Sequence, residues 1–166
     1  MSAGVLGPSD RVELIEGEII ETSPEKSRLA AAVDLAVEAL RRAFGGTHTI
    51  RVQHPLAVSD ASEPEPDLAV VPGSARDYVD AHPTSAALVV EVSDSSLEYD
   101  RTRKARIYSV AGIGDYWIVN VVEGALEVHR DPTASGYRSI SRLTAGETVS
   151  PVAAPGASVA VADLLP

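Results

Sequence analysis

The sequence predicts an α/β or α+β domain built on a central mixed sheet. Three observations lead there. The run Ala86-Ala87-Leu88-Val89-Val90-Glu91-Val92 is almost continuously apolar, as a strand covered on both faces requires. A helical stretch and a second apolar run, Asp115 to Val121, follow it; this is the order of a right-handed crossover between parallel strands. Earlier, Leu29, Val33, Ala36, Val37, Leu40 and Phe44 recur at spacings of three and four, so a long helix offers one apolar face to that sheet. With 166 residues, 45% hydrophobic and 23% charged, the chain can bury one substantial core. One Phe, one Trp and five Tyr leave that core to Val, Leu, Ile and Ala.

Residues 1–10 read as a flexible lead, and 11–166 as a single domain whose residues 148–166 form an apolar C-terminal arm. Val12 to Thr22 carries two short apolar runs around Glu16-Gly17, a hairpin with Gly17 at positive φ. Ser23-Pro24-Glu25 opens the long helix: Ser23 can cap, Pro24 suits the first helical position, and Glu25 favours the positive dipole end. Gly45-Gly46 closes it. Thr49 to Val58 alternates with period two and reads as a strand, with Pro55 at an edge or bulge. Ser59 to Pro66 is a polar loop, and Asp67 opens the strand Leu68 to Val71. Pro72 to Ser85 is a loop with one helical turn, and 86–92 is the buried strand. Ser93-Asp94-Ser95-Ser96 reads as a turn and capping cluster, leading into a helix from Leu97 to Ala111 stopped by Gly112. After the strand at 115–121, Gly124 turns the chain into Ala125 to Arg130, which pairs with Gly136 to Ser141. Trp117 reads as core. The arm packs as a strand and a short turn near 161–165. It supplies an interface for a homodimer or covers its own sheet.

The chain has no cysteine, which excludes disulfides, thiolate metal sites and Cys nucleophiles. Residues 1–10 lack a signal pattern and no run is long enough to span a membrane, so a cytoplasmic location is expected. The net charge of −10 argues against nucleic-acid binding by bulk electrostatics, yet leaves room for an acidic metal pocket with a local basic rim.

The candidate chemistry lies in acids at strand ends. Glu91 interrupts a run that otherwise belongs in the interior, and an unpaired carboxylate there costs several kcal/mol, roughly. A metal ion, an arginine or exposure at the sheet edge would each relieve it. Asp67 stands at the mouth of another apolar run, where a turn residue is the plain alternative. Carboxylates on neighbouring strands can share a hard cation such as Mg²⁺. Lys104 lies in the following helix, four residues after Asp100. That spacing also suits an ordinary surface ion pair. The functional alternative is an ammonium turned back over the strand end, orienting or deprotonating a water and stabilising a phosphate. Arg101, Arg103 and Arg106 share the helix, either as a solvated face or as phosphate contacts. His48, His54, His82 and His129 are scattered and read as surface or edge-strand residues.

Pro66-Asp67, then Glu91-Val92-Ser93, then Asp100, Lys104, Tyr108, Gly112 and Asp115-Tyr116-Trp117-Ile118-Val119, resemble the Uma-two family, a bacterial family of restriction-endonuclease-like proteins with the PD-(D/E)XK fold. Glu13-Leu14-Ile15-Glu16-Gly17-Glu18 is similar to the family's opening segment. The resemblance spans about residues 11–130. It implies a restriction-endonuclease-like three-layer core, a mixed sheet flanked by helices. It implies a Mg- (or Mn-) dependent endonuclease hydrolysing DNA, with Asp67 and Glu91 as catalytic metal ligands. Ser93 stands where the motif's Lys would be, and Lys104 takes that part from the helix. Glu13 or Glu18 matches a further acid near the pocket, Glu13 being preferred. Asp100 would hold Lys104 in place, and Ser93 is a further site candidate. The family's His near the start of the first helix is replaced here by Glu25-Lys26-Ser27-Arg28. A catalytically inactive nuclease-fold module for binding or assembly is the alternative; a toxin or mobile-element protein of the same fold is a third.

Overall fold

The computed structural model describes residues 12–21 and 27–166. The expected lead at 1–10 and the cap at Ser23 to Glu25 lie outside the described residues. Six strands form one sheet in the order β3–β4–β5–β6–β7–β8: β3 (His48–Val52), β4 (Leu68–Pro72), β5 (Leu88–Ser93), β6 (Asp115–Asn120), β7 (Ala125–Thr133) and β8 (Gly136–Thr144). All neighbours are antiparallel except β5 and β6, which run parallel. The connection between those two is helical: α2 (Leu97–Tyr99), a π-helical segment (Asp100–Lys104) and α3 (Ala105–Val110). This is the mixed α+β fold with a central sheet that the sequence predicts.

Period-two alternation divides the sheet's side chains between two layers. Leu68, Val70, Leu88, Val90, Val92, Trp117, Val119, Leu126 and Val128 share a core with α1 (Ser27–Phe44). Ala69, Val71, Val89, Tyr116 and Ile118 point the other way and pack with Ala105 and Tyr108 of the second helical layer. Trp117 is fully buried, as its bulk suggested. The helical stripe of α1 is the buried face as read, with Leu29 packed at its margin. Gly45 and Gly46, at φ +58° and +89°, end that helix in a conformation a side chain would oppose. The C-terminal residues form β9 (Thr148–Val149), β10 (Val159–Ala160) and a 3-10 turn (Val161–Leu164). Val149, Val159, Val161 and Leu164 are buried in the same core as α1, so this stretch covers its own molecule.

The hairpin forms as expected from β1 (Val12–Ile15) and β2 (Glu18–Glu21), turning through Glu16 and Gly17 at φ +52° and +80°. Two strand boundaries differ from the sequence reading. The strand expected over Thr49 to Val58 stops at Val52, because Gln53 takes φ +49° and its N–H meets the Asp67 carbonyl at the start of β4. Beyond that residue Pro66 has no N–H to continue the ladder. The strand expected from Ala86 begins at Leu88. His129 is also not a surface residue: it is 2% exposed on β7, against Tyr116 and Tyr137. Among the described residues no helix is long and apolar enough to cross a membrane.

Leu40 is fully buried between α1 and the sheet. Leu40→Ala is expected to cost about 2–5 kcal/mol in urea denaturation. Val110→Ala, at a site 63% exposed, is expected to stay within about 0.5 kcal/mol.

Candidate active site

The sheet register brings the first two acids together. Leu68 pairs with Val90 and Ala69 with Val89, so one further step sets Asp67 across from Glu91. The same alternation that sends Val90 and Val92 into the α1 core turns Glu91 toward α3. The Asp67 N–H donates to Glu91 Oε2 at 3.3 Å, and the Val92 N–H donates to Asp67 Oδ2 at 2.8 Å. Gln53 Nε2 donates to Asp67 Oδ1 at 3.4 Å.

Lys104 reaches this point from the opposite layer. Its Nζ donates to Glu91 Oε1 at 3.1 Å and to Glu13 Oε1 at 2.8 Å, and all three side chains are buried. The surface-pair alternative therefore fails for Lys104. The π-helical segment carries it: the Ala105 N–H bonds the Asp100 carbonyl five residues back, and Asp100 and Lys104 both turn inward. Such widened turns are frequent at functional sites. Tyr108, one turn on, donates from its hydroxyl to Glu91 Oε1 at 2.7 Å.

Glu13 is the hairpin acid that joins the cluster, tied also by the Glu65 N–H at 2.9 Å. Glu18 does not join; it is exposed and binds Arg103 at 2.6 Å. The Ser93 and Ser96 hydroxyls are not helix caps. Both donate to Asp100 Oδ2, at 2.5 and 2.8 Å. Ser95 Oγ instead donates to its neighbour Asp94. Asp100 is thus held by serines and influences Lys104 through its charge rather than by a direct hydrogen bond. Tyr108 and Gln53 are the contributors that sequence reasoning did not single out for the site. Tyr108 falls four residues after Lys104, a spacing that could have found it; Gln53 has no such signal, because the end of β3 decides its place.

The three arginines all meet carboxylates. Arg101 forks onto buried Glu127 of β7. Arg103 binds Glu16, Glu18 and the Ile15 carbonyl, and Arg106 binds Glu16. His129 lies beside Glu127, with Nε2 3.8 Å from Oε2, and burial pulls its pKa down.

Three carboxyl groups, Glu91, Glu13 and Asp100, bear on the Lys104 ammonium, and Asp67 adjoins Glu91. Burial pushes Glu91 up to about 8; Lys104 opposes this, while Asp67, Asp100 and Glu13 add to it. Burial alone would lower the Lys104 pKa, but Glu91 and Glu13 outweigh it and hold the amine above its ordinary value. Lys104 is therefore a fixed cation near neutral pH. Burial also raises Asp100, against the pull of Ser93 and Lys104.

Among the described residues no three His, Asp or Glu side chains converge as a ready-made metal cluster. The pair Asp67 and Glu91 still suits a hard ion, because both donors are carboxylate oxygens and the surroundings are rich in negative charge. Mg²⁺ is commonly held by one or two carboxylates, with water and substrate oxygens completing its octahedron.

The model of the Uma-two family, described as "Putative restriction endonuclease", matches residues 3–162. The chain belongs to this family. Its fold resembles that of a solved protein from Anabaena variabilis ATCC 29413, described as "a putative nuclease belonging to DUF820". The TM-score is 0.73 at 15% identity, over 92% of this chain and 88% of that one. No curated protein matches the chain. Uma-two membership agrees with the resemblance read from Pro66-Asp67, Glu91 and Lys104.

Removing Lys104 strands buried carboxyl groups without their cation. Lys104→Met is expected to destabilise the fold by about 3–5 kcal/mol in urea, and adding Glu91→Gln should recover part of that loss. Stability should also depend on pH. Glu91 has a folded pKa above its unfolded value, so between about 4.5 and 8 the folded state holds a proton that the unfolded state has released. Its contribution falls as pH rises through that window. In chelator, the Tm should therefore decline from pH 5 toward pH 8, and Glu91→Gln should flatten the slope.

Proposed function

We propose that this chain is a Mg- or Mn-dependent endonuclease that hydrolyses phosphodiester bonds in DNA, with Asp67 and Glu91 holding the ion and Lys104 assisting. The observation that carries this reading is the burial of Lys104 against Glu91, beside Asp67, where the ends of β4 and β5 meet the second helical layer. A stability role alone explains such a cluster poorly. Well-packed apolar residues usually serve a core as well or better than buried ions.

When bound, the divalent ion supplies Lewis acidity toward the phosphate and lowers the pKa of a water beside it. The chain's own residues do the rest. Val92 N–H and Gln53 fix Asp67, while Tyr108 and the Asp67 N–H fix the two oxygens of Glu91. Lys104 places a permanent positive charge where the pentavalent phosphorane gathers negative charge, and Glu13 keeps that ammonium aimed at the strand ends.

The second reading, a nuclease-fold module without catalysis, is favoured by one observation: both Glu91 oxygens already accept hydrogen bonds. Metal titration separates the two. Mn²⁺ is expected to bind the wild type and to be lost in Asp67→Asn, as measured by isothermal titration. Asp67→Asn, Glu91→Gln and Lys104→Gln should each slow Mg²⁺-dependent cleavage of plasmid DNA by at least about a hundredfold, with circular dichroism verifying the fold. Wild-type cutting by Glu91→Gln would sink the mechanism. Absent metal binding in the wild type would favour the module.

A further inference from the structure

We propose that Arg103 and Arg106 form a phosphodiester-binding subsite that Glu16 and Glu18 of the hairpin occupy in the free protein. The inference rests on the nucleic-acid substrate proposed above and extends it to the surface beside the site. The β1–β2 hairpin lays carboxylates along three cations of one helical stretch. Glu13 meets Lys104, Glu16 meets Arg103 and Arg106, and Glu18 meets Arg103. A row of anions spaced along consecutive cations is what a phosphate backbone would also present.

The contacts differ in how readily they can exchange. Arg101 is committed, because its partner Glu127 is buried. Glu13 is buried too. Glu16 and Glu18 are 37% and 65% exposed, and Arg106 is 53% exposed. Ion pairs in such positions are worth about 0–1 kcal/mol, whereas guanidinium–phosphate contacts are charge-assisted and often bidentate. The surface beside them has room for a ligand. A cavity of about 540 Å³ is lined by Arg101, Arg103 and Arg106 together with Ser135, Tyr137 and Ile140. In a chain of net charge −10, masking the arginines until a phosphate arrives also limits indiscriminate polyanion binding.

The test measures binding of a fluorescein-labelled DNA duplex to the full-length chain by anisotropy, in chelator so that no cleavage occurs, across a salt series. Glu16→Gln with Glu18→Gln is expected to bind about tenfold tighter. Asp34→Asn with Glu38→Gln, which removes the same charge from exposed positions on α1, should change affinity little. Arg103→Gln with Arg106→Gln should bind about tenfold weaker and lower the salt slope by about 2. The proposal is overturned if the wild type binds no duplex, if the α1 control tightens binding as much as the hairpin variant, or if losing both arginines changes nothing. Should the arginine variant fold poorly, the comparison of the hairpin and α1 variants decides. Cleavage assays in Mg²⁺ keep the two ideas apart. Arginine-dependent binding without cutting supports the subsite and counts against the nuclease; cutting that does not depend on the arginines does the reverse.

Discussion

The site is organised around one ammonium in the interior. Lys104 can stay charged there because Glu91 and Glu13 face it, and those two acids come from separate sheets of the fold. One sits on β5 in the middle of the sheet and the other on a hairpin that is not part of it. The ion cluster therefore fixes the hairpin, the sheet and the second helical layer against one another at a single point. It also explains why an acid is tolerated in an otherwise apolar strand. Glu91 is neither at a sheet edge nor exposed, and its oxygens are matched by donors on three elements.

Much of this was legible in the sequence, for an identifiable reason. The apolar run broken by Glu91 carries a local contradiction, and a contradiction between burial and charge calls for a partner. The alternation of β4 and β5 then set Asp67 and Glu91 on the same face. The hairpin, α1 and its glycine stop followed from turn chemistry and periodicity. Family membership is shown by the match over residues 3–162, a span that contains those residues.

What was not legible depends on tertiary contacts. Ser93 and Ser96 look like caps because serine before a helix usually caps; here Asp100 is close enough to take both hydroxyls. Asp100 and Lys104 look like a surface pair because their spacing is four, and only the packing of the π-helical segment against the sheet turns both inward. The end of β3 could not be read from its own residues, since the positive φ at Gln53 and the proline beyond its partner decide it. His129 looked solitary because nothing in sequence shows that the β7–β8 hairpin and the helical layer close over it.

The far edge of the sheet has a separate consequence. β8 is nine residues long and exposed along most of its length, the kind of open border on which sheets grow. It carries Arg138 and Arg142 symmetrically about Ile140. A twin strand docking antiparallel about Ile140 would set each arginine against the other's counterpart, and like charges directly opposite repel. Arg142 is also paired with Glu123, and that register is disfavoured for a second copy of the strand.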